Sequence, residues 1–264
     1  MLPDVQTENS KIQIPIYRVG ITDFKLPIYI SKKDGGQQHT VANIDIFVDL
    51  NANQKGTHMS RLAIGVQKFT NYKLSQDLLI DIADYILQKT EAETCQLIYK
   101  FPYFLTKLAP ISKEPGLINH NIIFDLIKTK NTTKFYMSVD NTVTSLCPCS
   151  KELSLDIGGA HNQRNIINVK CLTSKFVWIE DIIEATNKCG SCQVYSVLKR
   201  SDEKYVTEDA YNNPSFVEDI VRKAYMEIKK IDGIEWFEVT TTSEESIHQH
   251  NATAKIDSAG VTYG

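Results

Sequence analysis

Apolar side chains alternate with polar ones along residues 12–50, and that period of two commits the start of the chain to β-sheet. Ile14, Ile16 and Val19 begin the series, a second run spans 26–30, and Ile44, Ile46 and Val48 close it. Between the runs stands Asp34-Gly35-Gly36, whose glycines reach the positive φ angles that a tight hairpin needs.

Strand character returns at 62–69, 96–105, 118–128 and 133–143, with Asn131-Thr132 marking the turn before the last of these. At 75–88 the period changes. Leu78, Leu79, Ile82, Ile86 and Leu87 recur at helical spacing, and Ser75 stands where an N-cap belongs. The second half repeats the rhythm, with strands at 165–172, 234–241 and 252–256 and helices at 178–187 and 214–230. The expected class is α+β with mostly antiparallel sheets. It divides into a polar tail at 1–11, a first module at 12–143, and a second module at 144–264 that carries most of the chemistry-bearing motifs.

With 264 residues and 42% hydrophobic content, the chain can bury a substantial core. A net charge of −3 provides no general attraction to nucleic acid or to an anionic membrane, so an anionic ligand must be held by a local group of cations. No apolar run approaches the roughly 18 residues of a membrane span, and the N-terminus lacks the layout of a secretory signal. A soluble, cytoplasmic protein is expected. The six cysteines are too sparse for a secreted disulfide framework, which leaves free thiols or metal ligands.

Four constellations carry possible chemistry. Cys147-Pro148-Cys149 is followed by His161, and a turn between them brings sulfur and imidazole to one metal; read as a strand, it places both cysteines on one face. The same cysteines also read as small buried hydrophobes. His248 and His250 share a face if extended, suiting metal binding or proton transfer, or else form an ordinary polar loop. Residues 199–208 and 216–219 mix cations and carboxylates, which serve as a hard metal ligand, as an acceptor for a guanine edge, or as a solvated helix face. Lys55, His58 and Arg61 surround Gly56 in a loop suited to phosphates, although it lacks a Walker ending.

Taken together and in order, the stretches KGTHMSR (55–61), TSLCPCSKE (144–152), GAHNQR (159–164), LKR with DEKYVTE (198–208), NPSFVED (213–219) and ESIHQHNA (245–252) resemble the type IB GTP cyclohydrolases. The resemblance implies a bimodular tunnelling fold, with antiparallel sheets, helices packed on one face, and assembly into a homotetramer with active sites at subunit interfaces. It implies hydrolysis of GTP at C8 to give 7,8-dihydroneopterin triphosphate and formate, with a divalent ion (Zn, Mn or Fe) as cofactor. Cys147, His161 and Glu203 match the metal ligands of that pattern, with Cys149 close by and catalytic; how the two cysteines divide those roles stays open. His248 and His250 then move protons, Glu218 anchors guanine, and Lys55, His58, Arg61, Lys199 and Arg200 hold the triphosphate.

Departures from the pattern are small: Ser201 replaces a common proline, Gln249 and Asn251 replace asparagine and serine, and Cys189-x-x-Cys192 is additional. Two rival readings accompany this one. The first is a related nitrile reductase, which needs a nicotinamide cofactor and no metal; the second is a non-catalytic protein with a closed structural metal or a redox-sensitive cysteine pair.

Overall fold

The computed structural model describes residues 6 and 8–260. Its chain forms two compact units, Met1–Pro102 with Ile122–Tyr136, and Tyr103–Asn121 with Met137–Gly264. In chain order the elements are β1 (Ile16–Ser31), β2 (Gln37–Leu50), α1 (Met59–Gln67), β3 (Lys73–Leu74), α2 (Gln76–Thr90), β4 (Thr94–Leu108), β5 (Pro115–Thr129) and β6 (Thr133–Leu146). They continue with α3 (Pro148–Leu153), β7 (Asn162–Thr173), α4 (Ile179–Asn187), β8 (Cys192–Gln193), α5 (Arg200–Asn212), α6 (Val217–Ile228), β9 (Ile234–Ser243) and β10 (Ala252–Asp257).

Hydrogen bonding orders the strands β10-β9-β7-β6-β5-β4-β2-β1-β3, with β8 on β6, a ten-stranded sheet among the described residues. The pairs β1·β2, β2·β4, β7·β9 and β9·β10 are antiparallel, while the two-residue β3 runs parallel to β1. This corrects the expected bimodular tunnelling fold. β4 and β5, 15 residues each, contribute residues to both units, so the sheet is not two consecutive modules with helices on one face of each. The alternation in the sequence reports which face of a strand is buried and says nothing about which strand lies beside it.

In the first unit, β1 and β2 turn through Gly35 at φ 86°, and Asp34 Oδ1 accepts the Gly36 N–H at 2.8 Å. Ile28, Ile30, Ile44 and Ile46 are buried together with Leu62, Val66, Leu79, Ile82 and Ile86 of the helices. Residues 62–69, expected as a strand, are largely helical: α1 buries Leu62, Gly65 and Val66 at the i, i+3, i+4 period and leaves Ile64 exposed. Ser75 caps α2 as expected, its hydroxyl accepting the Leu78 N–H at 3.1 Å. Residues 1–5 and 7 of the expected tail lie outside the described residues. Asn9 bridges to Gln54, and the Ser10 N–H donates to Asn53 at 2.8 Å.

In the second unit, α6 packs on β9 through Val217, Ile220, Val221, Ala224 and Ile228, one apolar stripe of a helix whose other faces are polar. Gly190 comes so near β6 that a Cβ there would stand 2.5 Å from Val143 Cβ, so only glycine fits this turn without displacing the strand. No helix among the described residues is long and apolar enough to cross a membrane.

Candidate active site

The C-terminal end of β6 is held from two sides by buried serines. The Ser191 hydroxyl accepts the Leu146 N–H at 3.0 Å and the Ser191 N–H donates to the Thr144 carbonyl at 2.8 Å. The Ser215 N–H donates to the Leu146 carbonyl at 3.1 Å, and the Ser145 hydroxyl donates to the Ser215 carbonyl at 2.9 Å. Because Leu146 is fixed by both, the position of Cys147 is set before any ligand arrives.

Cys147 is the N-cap residue of α3, and Pro148 opens that helix, where its missing N–H costs no hydrogen bond. The expectation that Cys147 and Cys149 share a strand face is therefore corrected. Cys147 is half-buried, with Sγ 3.4 Å from the Ser150 N–H it accepts, while Cys149 is exposed on the helix.

The Cys147 N–H donates to the His161 carbonyl at 3.1 Å, and the His161 N–H donates to Ser150 Oγ at 3.2 Å. Gln163, one of the buried polar residues, joins the rest. Its Oε1 accepts His161 Nδ1–H at 2.9 Å and the Ser246 hydroxyl at 3.4 Å, and its Nε2 donates to Glu245 at 3.3 Å. With Nδ1 committed, Nε2 is the imidazole atom left to act as a ligand or base. The segments 144–152, 159–164, 213–219 and 245–252 thus meet through hydrogen bonds. Beyond Ser246 the chain bends, and the exposed His248 and His250 rings stack with centroids 5.2 Å apart.

Beside this junction lies a cleft of about 580 Å³, bordered by Leu146, Ala160, Asn162, Tyr195, Thr207 and Tyr211 among others. Cys147 follows one of these residues and His161 stands between two of them. The volume matches a nucleotide-sized ligand.

Glu203 is exposed on the first turn of α5, and among the described residues no three His, Cys, Asp or Glu side chains stand grouped as a metal requires. The donor chemistry of Cys147 and His161, one sulfur and one oriented imidazole, suits a divalent transition-metal ion. Neighbouring Asp202 is fully buried and plays a different part: it accepts the Ile111 and Ser112 N–H groups, both at 2.8 Å, the Ser112 hydroxyl at 2.6 Å and the Lys199 N–H at 2.9 Å. Although enclosure opposes charge, these donors hold its carboxyl well below the usual range.

Glu218 is exposed on the first turn of α6, where the helix dipole favours a carboxylate. Two expected phosphate cations are already engaged with carboxylates, Lys55 with Glu8 and Lys199 with Glu114, each at 2.5 Å. Arg61 donates to the Lys89 carbonyl at 2.7 Å, His58 is the N-cap residue of α1, and Arg200 is exposed at the start of α5. Lys55, His58 and Arg61 belong to the first unit, and the cleft lies wholly in the second.

Cys189 and Cys192 are free and buried, and burial pushes both thiols up to about 12. Such thiols are poor nucleophiles. Gln163, Tyr195 and Tyr211 escaped the sequence reading; Gln163 alone carried a signal, lying two residues beyond His161.

A cysteine and an oriented histidine at the margin of a nucleotide-sized cleft make the arrangement of a small-molecule enzyme. Over residues 2–254 the chain matches the family described as type I GTP cyclohydrolase folE2, and it belongs to that family. It is 42% identical over 256 residues to GTP cyclohydrolase FolE2 of Pelobacter propionicus, covering 97% of this chain and 98% of that one. It is 44% identical over 260 residues to GTP cyclohydrolase FolE2 of Geobacter sulfurreducens, again covering 97% and 98%. Among solved structures, the uricase from Arthrobacter globiformis is similar with a TM-score of 0.52 at 7% identity, over 94% of this chain and 95% of that one. At that identity the likeness concerns the fold alone.

Proposed function

We propose that the cleft beside Cys147 and His161 receives the nucleotide in this GTP cyclohydrolase, an enzyme that hydrolyses GTP to 7,8-dihydroneopterin triphosphate and formate in the first step of tetrahydrofolate biosynthesis. The observation that carries the assignment is the convergence of four motif segments on Leu146 and Gln163. Residues scattered over a hundred positions of sequence share a hydrogen-bond network only where the fold gathers them.

Cys147 and His161 Nε2 would be the first donors for a divalent ion, Zn, Mn or Fe, and Glu203 would be the third. When bound, the ion supplies Lewis acidity that readies water for attack on C8 of the purine. Cys149, exposed on α3 two residues beyond Cys147, is the catalytic thiol in this reading. His248 or His250 moves protons to the ring nitrogen and the leaving amine. Glu218 accepts the paired N–H donors of guanine, an edge that adenine lacks.

Lys55, His58, Arg61, Lys199 and Arg200 take the triphosphate. Lys55 and Lys199 leave Glu8 and Glu114 to do so, an exchange of one anion for a more highly charged one. Residues from different subunits supply these groups in a cytoplasmic homotetramer with interface sites, and the portion after residue 143 carries most of the chemistry.

The test is formation of a fluorescent pterin from GTP without added nicotinamide cofactor, using protein loaded in turn with each metal and sized by light scattering. Turnover is expected for the wild type and lost in folded Cys149→Ala and Glu218→Ala. Wild-type rates in those variants remove their roles, and no pterin with any metal removes the assignment.

A further inference from the structure

Two tyrosines border the cleft, and each ring is faced by a lysine that does not border it. Lys107 Nζ stands 4.8 Å from the Tyr195 ring centroid, with Asn187 Oδ1 3.5 Å from the same nitrogen. Lys151 Nζ stands 4.3 Å from the Tyr211 ring centroid and donates to the Tyr211 carbonyl at 2.6 Å. Tyr195 follows β8 and Tyr211 lies near the end of α5, so the repeated pairing does not come from one local motif.

Burial pushes the Tyr195 phenol up to about 12, which keeps the ring neutral. Burial also brings Lys107 down to about 8, leaving it mostly cationic at neutral pH. A cation on one face of an aromatic ring draws its π density toward the charge. The opposite face then repels an electron-rich heterocycle less, and stacking against it is favoured.

We infer that Tyr195 and Tyr211 are the aromatic walls against which the substrate's planar heterocycle lies, and that Lys107 and Lys151 act through those rings as positioning residues. The inference rests on the assignment of the cleft to GTP. Stacking does not distinguish one purine from another, so the two walls fix the plane of the base and leave its identity to hydrogen-bonding groups. Holding that plane keeps C8 in line with the junction of Cys147 and His161. The phenol hydroxyls are not needed for this, only the rings.

The experiment compares KM and kcat for GTP, and GTP affinity of metal-stripped protein by equilibrium dialysis, across Tyr195→Leu, Tyr195→Phe, Tyr211→Leu, Lys107→Met and Lys107→Arg. Each leucine variant is expected to raise KM and Kd about ten-fold, with Tyr195→Phe recovering most of what Tyr195→Leu loses. Lys107→Met is expected to raise KM about three-fold with little change in kcat, and Lys107→Arg to restore it.

If folded leucine variants keep wild-type KM and Kd while the wild type forms pterin, the inference falls and the function stands. A wild type that neither binds nor opens GTP discards both. Should the leucine variants fail to fold, the Lys107 pair decides alone, and a wild-type KM in Lys107→Met discards the inference.

Discussion

His161 donates its Nδ1–H to Gln163 Oε1 at 2.9 Å, and the same glutamine reaches Glu245 at 3.3 Å. One amide therefore sets the tautomer of the imidazole and ties it to the segment that leads to His248 and His250.

Replacing Gln163 with leucine leaves His161 free to rotate. Metal affinity is expected to fall roughly ten- to hundred-fold, the usual effect of removing a partner that orients a ligand. Gln163→Glu keeps an acceptor for the Nδ1–H but loses the donor to Glu245 and sets a second carboxylate against it, so it should restore only part of the loss. Competition with a chromophoric chelator measures both, and unchanged affinity in the leucine variant would mean that the glutamine does not orient the ring.

Asp45 connects stability to pH. Its burial pushes the carboxyl up, but Lys100 at 2.7 Å and the Asp23 N–H at 3.0 Å more than offset this, and the folded pKa lies below 3.8. A folded pKa below the unfolded one contributes stability that is present above the unfolded value and lost as pH falls through the folded one. Thermal melts from neutral pH down to about pH 3 should therefore show an acid-side decline that is shallower in Asp45→Asn. Parallel declines in the two proteins would count against the ion pair as its source.

The cysteines should separate by reactivity. Burial pushes Cys95, Cys171, Cys189 and Cys192 each up to about 12, whereas Cys149 is exposed. Brief treatment of the native, metal-stripped protein with iodoacetamide, followed by mass mapping, is expected to modify Cys149 first and leave those four unlabelled. Early labelling of Cys189 or Cys192 would revive the redox-pair reading.

Gly190→Ala tests the packing behind the site. The added methyl would meet Val143 Cβ at 2.5 Å and the Thr144 carbonyl at 2.7 Å, so β6 must shift. Unfolding free energy is expected to drop by about 1–3 kcal/mol in a denaturant titration, as for other overpacked positions. Because Thr144 and Leu146 continue that strand to Cys147, pterin formation should fall as well. A stable variant with full activity would show that the turn has room the geometry does not reveal.

Much of this fold was legible because a buried face imposes a period. β2 and β9 announce themselves through alternation, and α6 through its stripe of Val217, Ile220, Val221, Ala224 and Ile228. Leu62, Ile64 and Val66 alternate as in a strand, whereas α1 buries Leu62, Gly65 and Val66, a face that depends on a glycine no hydrophobic pattern registers. α5 buries only Asp202 and Ala210, so its sequence carries no apolar stripe.

At the site, Pro148 was the available sign that a helix starts after Cys147, and the i, i+2 strand argument overrode it. The motif residues themselves could be read in the chain, but Tyr195 and Tyr211 could not: a lysine against a ring arises from tertiary packing between distant positions. Strand neighbours were hidden for the same reason.

Asp202 has a consequence for how the molecule tolerates change. A surface turn such as the one joining β4 to β5 is ordinarily where length variation is harmless. Here the amides of Ile111 and Ser112 are fastened to the carboxylate preceding Glu203, so lengthening that turn by a residue would pull on the helix that presents Glu203. An insertion scan should find this outer loop as intolerant as the core.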